Sequence, residues 1–249
     1  MTVNKPPREA ISRNNMELLT NCLGVIWKDF VALIYPQRCI GCTTPLVKHE
    51  QYLCTRCFLN LPFFESPYCQ NQKLSVYFSF LPKVSSVKAY LVLNKKGLTE
   101  SILYGLKYHG NKELALLMGK HFGASLTSKG VLKADYLIPI PLHPDKEQKR
   151  GFNQSREIAK GLSEKLGIPI NDEVIIRTKE EQVQSKQDRV TRWHNQGGVY
   201  TGVNVDALIG KSVILVDDVI TTGATMVAVC ELIGPKVSEI TILALATGK

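Results

Sequence analysis

The chain has no G-x-x-x-x-G-K-S/T phosphate loop and no G-x-G-x-x-G, which sets aside the nucleoside-triphosphatase and dinucleotide folds. It also lacks an unbroken apolar run long enough for a bilayer. Apolar residues recur from Leu18 to Tyr35, but Lys28 and Asp29 interrupt them, so an amphipathic helix is expected there and a membrane span is not. Nothing reads as a signal peptide. The first fifteen residues are polar and carry Lys5, Arg8 and Arg13, which suits a loose tail and a cytoplasmic protein.

What is present is more telling. An apolar fraction of 44% over 249 residues is enough for a real core in one large or two small domains. The net charge of +9 favours anionic partners, either phosphorylated small molecules or nucleic acid. The excess is uneven. Between Ser86 and Lys133 eight lysines stand against Glu100 and Glu113, with Tyr90, Tyr104, Tyr108 and His109 among them. Such a stretch can track a nucleic-acid backbone and stack its bases. It can equally be a solvated helix face over core tyrosines.

The seven cysteines are spaced for metal. Cys39-Ile40-Gly41-Cys42 and Cys54-Thr55-Arg56-Cys57 are two C-x-x-C knuckles, and together they complete a four-cysteine tetrahedral zinc site. In a reducing cytoplasm metal ligation wins over disulfides. Four thiolates leave no open position, so the zinc is expected to be structural, stapling a ribbon too small to fold on its own core. Arg38, Lys48 and Arg56 leave nucleic-acid contact as an alternative role. Cys22 and Cys230 read as small buried residues, while Cys69 lacks a second cysteine three residues on.

The chemistry concentrates in Val213 to Met226. An apolar β-branched run stops at Asp217 and Asp218, a loop of Thr221, Thr222, Gly223, Ala224 and Thr225 follows, and a helix begins. Paired carboxylates accept hydrogen bonds from a sugar diol. Gly223 permits close backbone approach, and hydroxyls with free helix amides suit a phosphate. An ordinary strand-turn-helix explains one acid and one threonine, but not two acids, three threonines and a glycine together. A ribose 5-phosphate fits all of them.

Around this motif strands alternate with helices, giving an α/β fold with a mostly parallel twisted sheet. Strands are expected at residues 89–93, 136–141, 173–177 and 237–246. Helices are expected at 98–108, 113–126, 152–166 and from the phosphate loop to Ile233. His143 to Gly151, with Lys146, Lys149 and Arg150, reads as a loop. Residues 179–198 have no apolar periodicity and carry Lys186, Arg189 and Arg192, which suits an active-site lid hinged at Gly197 and Gly198. The expected organisation is a tail and helix (1–35), a zinc ribbon (36–60), a connecting segment (61–85) and a catalytic-type domain (86–249).

The segment at 213–226 resembles the phosphoribosyl-pyrophosphate (PRPP) signature of type I phosphoribosyltransferases. With the four-cysteine ribbon ahead of it, the chain resembles the ComF family, linked to natural competence, and its gluconate-utilisation relatives. The likeness extends to Lys107-Tyr108 through Leu117, Pro139-Ile140-Pro141-Leu142, Arg150-Gly151-Phe152-Asn153-Gln154, and Gln184 with Arg192 and Asn195. Gln187 departs from the family, where leucine is usual. The resemblance implies that Asp217 and Asp218 hold the ribose and that residues 221–225 hold the 5-phosphate. It makes Pro139, Ile140 and Pro141 the pyrophosphate loop, served by Arg150, Arg189 and Arg192. It further implies magnesium carried with PRPP. Three readings of function follow: transfer of phosphoribose to a nitrogen acceptor, single-stranded DNA handling with the competence machinery, or PRPP sensing. Oligomerisation is left open.

Overall fold

The structure, a computed structural model, describes residues 35–64, 72–108, 110–128, 130, 132–178 and 199–248. The chain divides into two compact units, Met1–Leu59 and Asn60–Lys249. The expected helix before Tyr35 and Cys22 upon it, Cys69, and the lid with Lys186, Arg189, Arg192 and its glycines lie outside the described residues.

In the first unit, bridges pair Arg38 with Pro45 and Gln51 with Leu53, and a five-residue helix α1 (Thr55–Leu59) follows. The Glu50 carboxylate accepts from the Thr55 amide at 2.6 Å and the Thr55 hydroxyl at 2.8 Å, which fixes the start of α1. Among the described residues of this unit the buried apolar side chains are Cys39, Leu53, Cys54 and Cys57.

The second unit is built on a parallel sheet. Its strands are β1 (Val84–Leu93), β2 (Tyr136–Pro139), β5 (Ser212–Ile220) and β6 (Glu239–Gly248), in the order β1-β6-β5-β2. Leu215 and Val216 pair with Ile242 and Leu243 at the centre, all four without solvent exposure, as expected for strands covered on both faces. Helices α2 (Gln72–Phe78), α3 (Leu98–Tyr108), α4 (Lys112–Thr127), α5 (Pro144–Arg150), α6 (Gln154–Leu166) and α7 (Ala224–Ile233) complete the layers. The stretch read as a connecting segment carries α2, and its residues 61–64 run antiparallel along β1 through the Phe63–Leu91 bridge.

Three sequence expectations change. β5 does not stop at the carboxylates: Val219 and Ile220 are β-branched and pair with Ala246 and Thr247, so the ladder runs on. Residues 144–150 form helix α5 rather than a loop. PDKEQKR has no apolar residue to give a period, yet His143 Nδ1 caps the Asp145 amide, Pro144 opens the helix and Gly151 ends it at φ 81°. The strand near 175 does not join the main sheet. β3 (Ile175–Arg177) and β4 (Tyr200–Gly202) make a separate antiparallel pair.

Gly210-Lys211-Ser212 enters strand β5 instead of a helix, so it is no phosphate loop. Helices α4 and α6 cross at backbone contact. A Cβ on Gly161 would stand 2.2 Å from the Leu116 carbonyl oxygen, and one on Gly119 would stand 2.3 Å from that of Ile158. That approach sets the depth of α6, whose first turn reaches the end of β5. Among the described residues no helix is long and apolar enough to cross a membrane.

Candidate functional site

Two centres are built, one in each unit. In the first, the Sγ atoms of Cys39, Cys42, Cys54 and Cys57 all lie within 4.8 Å of one another. A tetrahedral zinc with Zn–S near 2.3 Å requires sulfurs about 3.8 Å apart, and the Cys42–Cys54 separation is 3.6 Å. Backbone amides point at the sulfurs. Cys54 and Gly41 donate to Cys39 Sγ at 3.3 and 3.4 Å, and Cys57 donates to Cys54 Sγ at 3.4 Å. Burial, then the neighbouring sulfurs, push the Cys57 thiol up, so four thiolates coexist only around a cation. The donor set fits a structural zinc ion with no position left for substrate.

In the second unit a cleft of about 200 Å³ opens beyond the carboxyl ends of β2 and β5. Its lining unites residues that are far apart in sequence: Ile140 and Pro141 after β2, Arg150 closing α5, Asp217 and Asp218 on β5, and Thr225 in α7. Pro139 is buried within β2, one residue short of the cleft. Thr221 and Thr222 are exposed, and Thr222 Oγ1 accepts from the Ala224 amide at 3.4 Å. Gly223 begins α7 at φ 80°, where an added Cβ would lie 3.1 Å from the Phe78 ring. Its glycine is needed for backbone geometry and for close packing on α2. Thr222 Oγ1 takes the Ala224 amide, so the Thr225 and Met226 amides, which have no acceptor within the helix, are the ones an anion would meet. Lys146 and Lys149 do not line the cleft.

The carboxylates differ. Asp218 is buried and pairs with Lys107 Nζ at 3.1 Å. Asp217 Oδ1 accepts from Ser155 Oγ at 2.9 Å and from the Asp218 amide at 2.8 Å. Burial, and then the adjacent Asp218 charge, push the Asp217 carboxyl up to about 7 against those hydrogen bonds.

Seven lining residues carry no site role in the sequence: Lys107, Asn153, Gln154, Ser155, Arg177, Tyr200 and Val219. Lys107 belongs to the basic stretch by sequence, but it lies in the last turn of α3 and pairs with Asp218. Arg177 and Tyr200 are a cross-strand pair, with the guanidinium carbon 5.4 Å from the ring centroid. Period-two reading held the signal for Arg177. It shares a face with buried Ile175 while Ile176 points out, and a cation on an inward face marks a site.

Residues 153–249 match the phosphoribosyl transferase domain family, and residues 30–73 match the double zinc ribbon domain family. The competence protein ComFC of Bacillus subtilis is 27% identical over 207 residues, covering 81% of this chain and 80% of that protein. The DNA utilization protein YhgH of Escherichia coli O157:H7 is 29% identical over 138 residues; they cover 53% of this chain and 59% of that protein. Among solved structures, a hypoxanthine phosphoribosyltransferase from Staphylococcus aureus superposes with a TM-score of 0.37. It is 15% identical, over 55% of this chain and 64% of that one.

Proposed function

The chain belongs to the ComF family, and on that premise we propose that its cleft binds phosphoribosyl pyrophosphate in the service of DNA uptake. The observation that carries the reading is convergence. Paired carboxylates, the Thr225 hydroxyl in the first turn of α7, and three cations from α3, α5 and β3 line one small cleft. PRPP has a matching order of groups. Its diol suits Asp217 and Asp218, its 5-phosphate the 221–225 loop and the α7 amides, and its pyrophosphate the Ile140–Leu142 turn with Lys107, Arg150 and Arg177.

In the transfer reaction a nitrogen nucleophile bonds to the anomeric carbon as the carbon–oxygen bond to pyrophosphate breaks. Negative charge grows on the leaving group, and fixed cations facing it lower the barrier. Lys107 is held by Asp218 before any ligand arrives, so this cation needs no reorganisation. Magnesium, when bound, would screen the pyrophosphate charge. Asp217 and Asp218 are the carboxylates within reach of it, and most of its ligands would be substrate oxygens.

Magnesium-dependent release of pyrophosphate from PRPP, measured across ammonia, amines and nucleobases, tests the transfer step. Release with any acceptor supports it. Tight PRPP binding with no release across the panel would reduce the protein to a PRPP sensor.

A second reading, contact with single-stranded DNA, has its own observation. Tyr104 and Tyr108 on α3 are 54% and 66% exposed with ring centroids 4.6 Å apart, and Lys95, Lys96 and Lys112 are exposed nearby in sequence. Salt-dependent binding of an oligothymidine that weakens in Tyr104→Ala/Tyr108→Ala supports it. Unchanged affinity removes the tyrosines from that role.

A further inference from the structure

Three consecutive side chains at the start of α6 reach three different walls of the cleft. Asn153, Gln154 and Ser155 are 6%, 2% and 4% exposed, a run of polar residues with no place in an apolar core. Asn153 Nδ2 donates to the Ile140 carbonyl at 3.0 Å and so holds the turn after β2. Its Oδ1 accepts from the Ser155 amide at 3.0 Å and caps the helix. Gln154 faces both ways. Its Oε1 accepts from Arg150 Nη1 at 3.1 Å, and its Nε2 donates to the Leu106 carbonyl at 3.3 Å, one residue before Lys107. Ser155 Oγ donates to Asp217. Capping alone explains Asn153. It does not explain why the next two positions bury polar side chains whose partners lie on α3, α5 and β5.

We propose that Asn153, Gln154 and Ser155 are the positioning residues of the cleft, setting its anion-facing turn, its cations and its ribose-facing carboxylate from one rigid helix start. This rests on the reading of the cleft as a ribose-phosphate site. α6 is itself seated by the glycine contacts with α4, so the three anchors share one mechanical base. Each anchor serves a different part of the ligand. Asn153 and Gln154 govern the pyrophosphate end, through the Ile140 carbonyl and through Arg150 beside the end of α3. Ser155 governs the ribose end, because its hydroxyl donates to Asp217 Oδ1 at 2.9 Å and fixes how that carboxylate faces the cleft.

The test titrates the full-length protein with ribose 5-phosphate, and separately with inorganic pyrophosphate and magnesium. In Ser155→Ala ribose 5-phosphate affinity should fall about tenfold while pyrophosphate affinity holds. Ser155→Thr, which restores the hydroxyl, should return that affinity. In Gln154→Leu pyrophosphate affinity should fall about tenfold with ribose 5-phosphate affinity unmoved. Equal weakening of both ligands in each variant would reduce the three residues to packing and overturn the proposal. A wild-type protein that binds neither ligand would remove the ribose-phosphate reading beneath it, a result distinct from any pattern among the variants.

Discussion

Between Arg38 and Leu59 four cysteines stand where an apolar core would be, whereas from Asn60 onward a parallel sheet buries Leu215, Val216, Ile242 and Leu243 completely. The first unit spends its polar chemistry on holding itself together. Every sulfur of its centre is committed to the ion, and none is left for a substrate. The second unit is held by apolar burial, which frees its polar residues to converge on a cleft at a cost in stability. Asp217 and Asp218 sit side by side within an otherwise apolar stretch of β5, an arrangement no packing argument would select. A site that is costly to keep and a site that is needed to fold therefore respond oppositely to perturbation.

Metal removal should break the comparison most completely. Chelation of the full-length protein, or Cys54→Ser, should abolish hydrogen-exchange protection in residues 39–59 while residues 84–93 and 212–220 keep theirs. Loss of protection in both units together would show that the second also depends on the ion. A Gly161→Ala change should do the reverse. Its Cβ meets the Leu116 carbonyl, so the second unit should lose about 3 kcal/mol in denaturant unfolding with the zinc content unchanged.

The smallest expected effect concerns pH. Asp217 binds its proton more tightly in the folded protein than in the unfolded chain, where an ordinary carboxyl titrates near 3.8. Its contribution to stability is thus fully present below about pH 4 and is lost as pH rises through about 7. Asp217→Asn should therefore flatten the decline in unfolding free energy over that window by about 1–2 kcal/mol, and make the protein more stable than wild type at pH 8. An unaltered pH profile would mean that Asp217 is not strained in the fold.

Much of this was legible beforehand, for physical reasons that differ by element. α3 and α4 follow apolar spacing because one face of each is buried. The run from Val213 to Val216 reads as a strand because both faces are covered. Helix α5 was hidden because its stability comes from His143, Pro144 and Gly151 at its ends rather than from an apolar face. The β3–β4 pair was hidden because its strands flank residues 179–198, and no local signal reports a partner across that distance. Within the cleft, the β5 acids and the Ile140–Pro141 turn stood out as contiguous motifs. Lys107 and Ser155 did not, since each acquires its meaning only when the fold sets it against an acid on β5.

The most direct test is calorimetric titration of PRPP with magnesium into the wild-type protein and into the Asp217→Asn/Asp218→Asn variant, both with intact zinc. The expected result is saturable binding by wild type and a loss of at least about a hundredfold in the variant, as two charge-assisted hydrogen-bond acceptors for the ribose diol are neutralised. Equal affinity in the two proteins would contradict the assignment of the β5 carboxylates to the ribose.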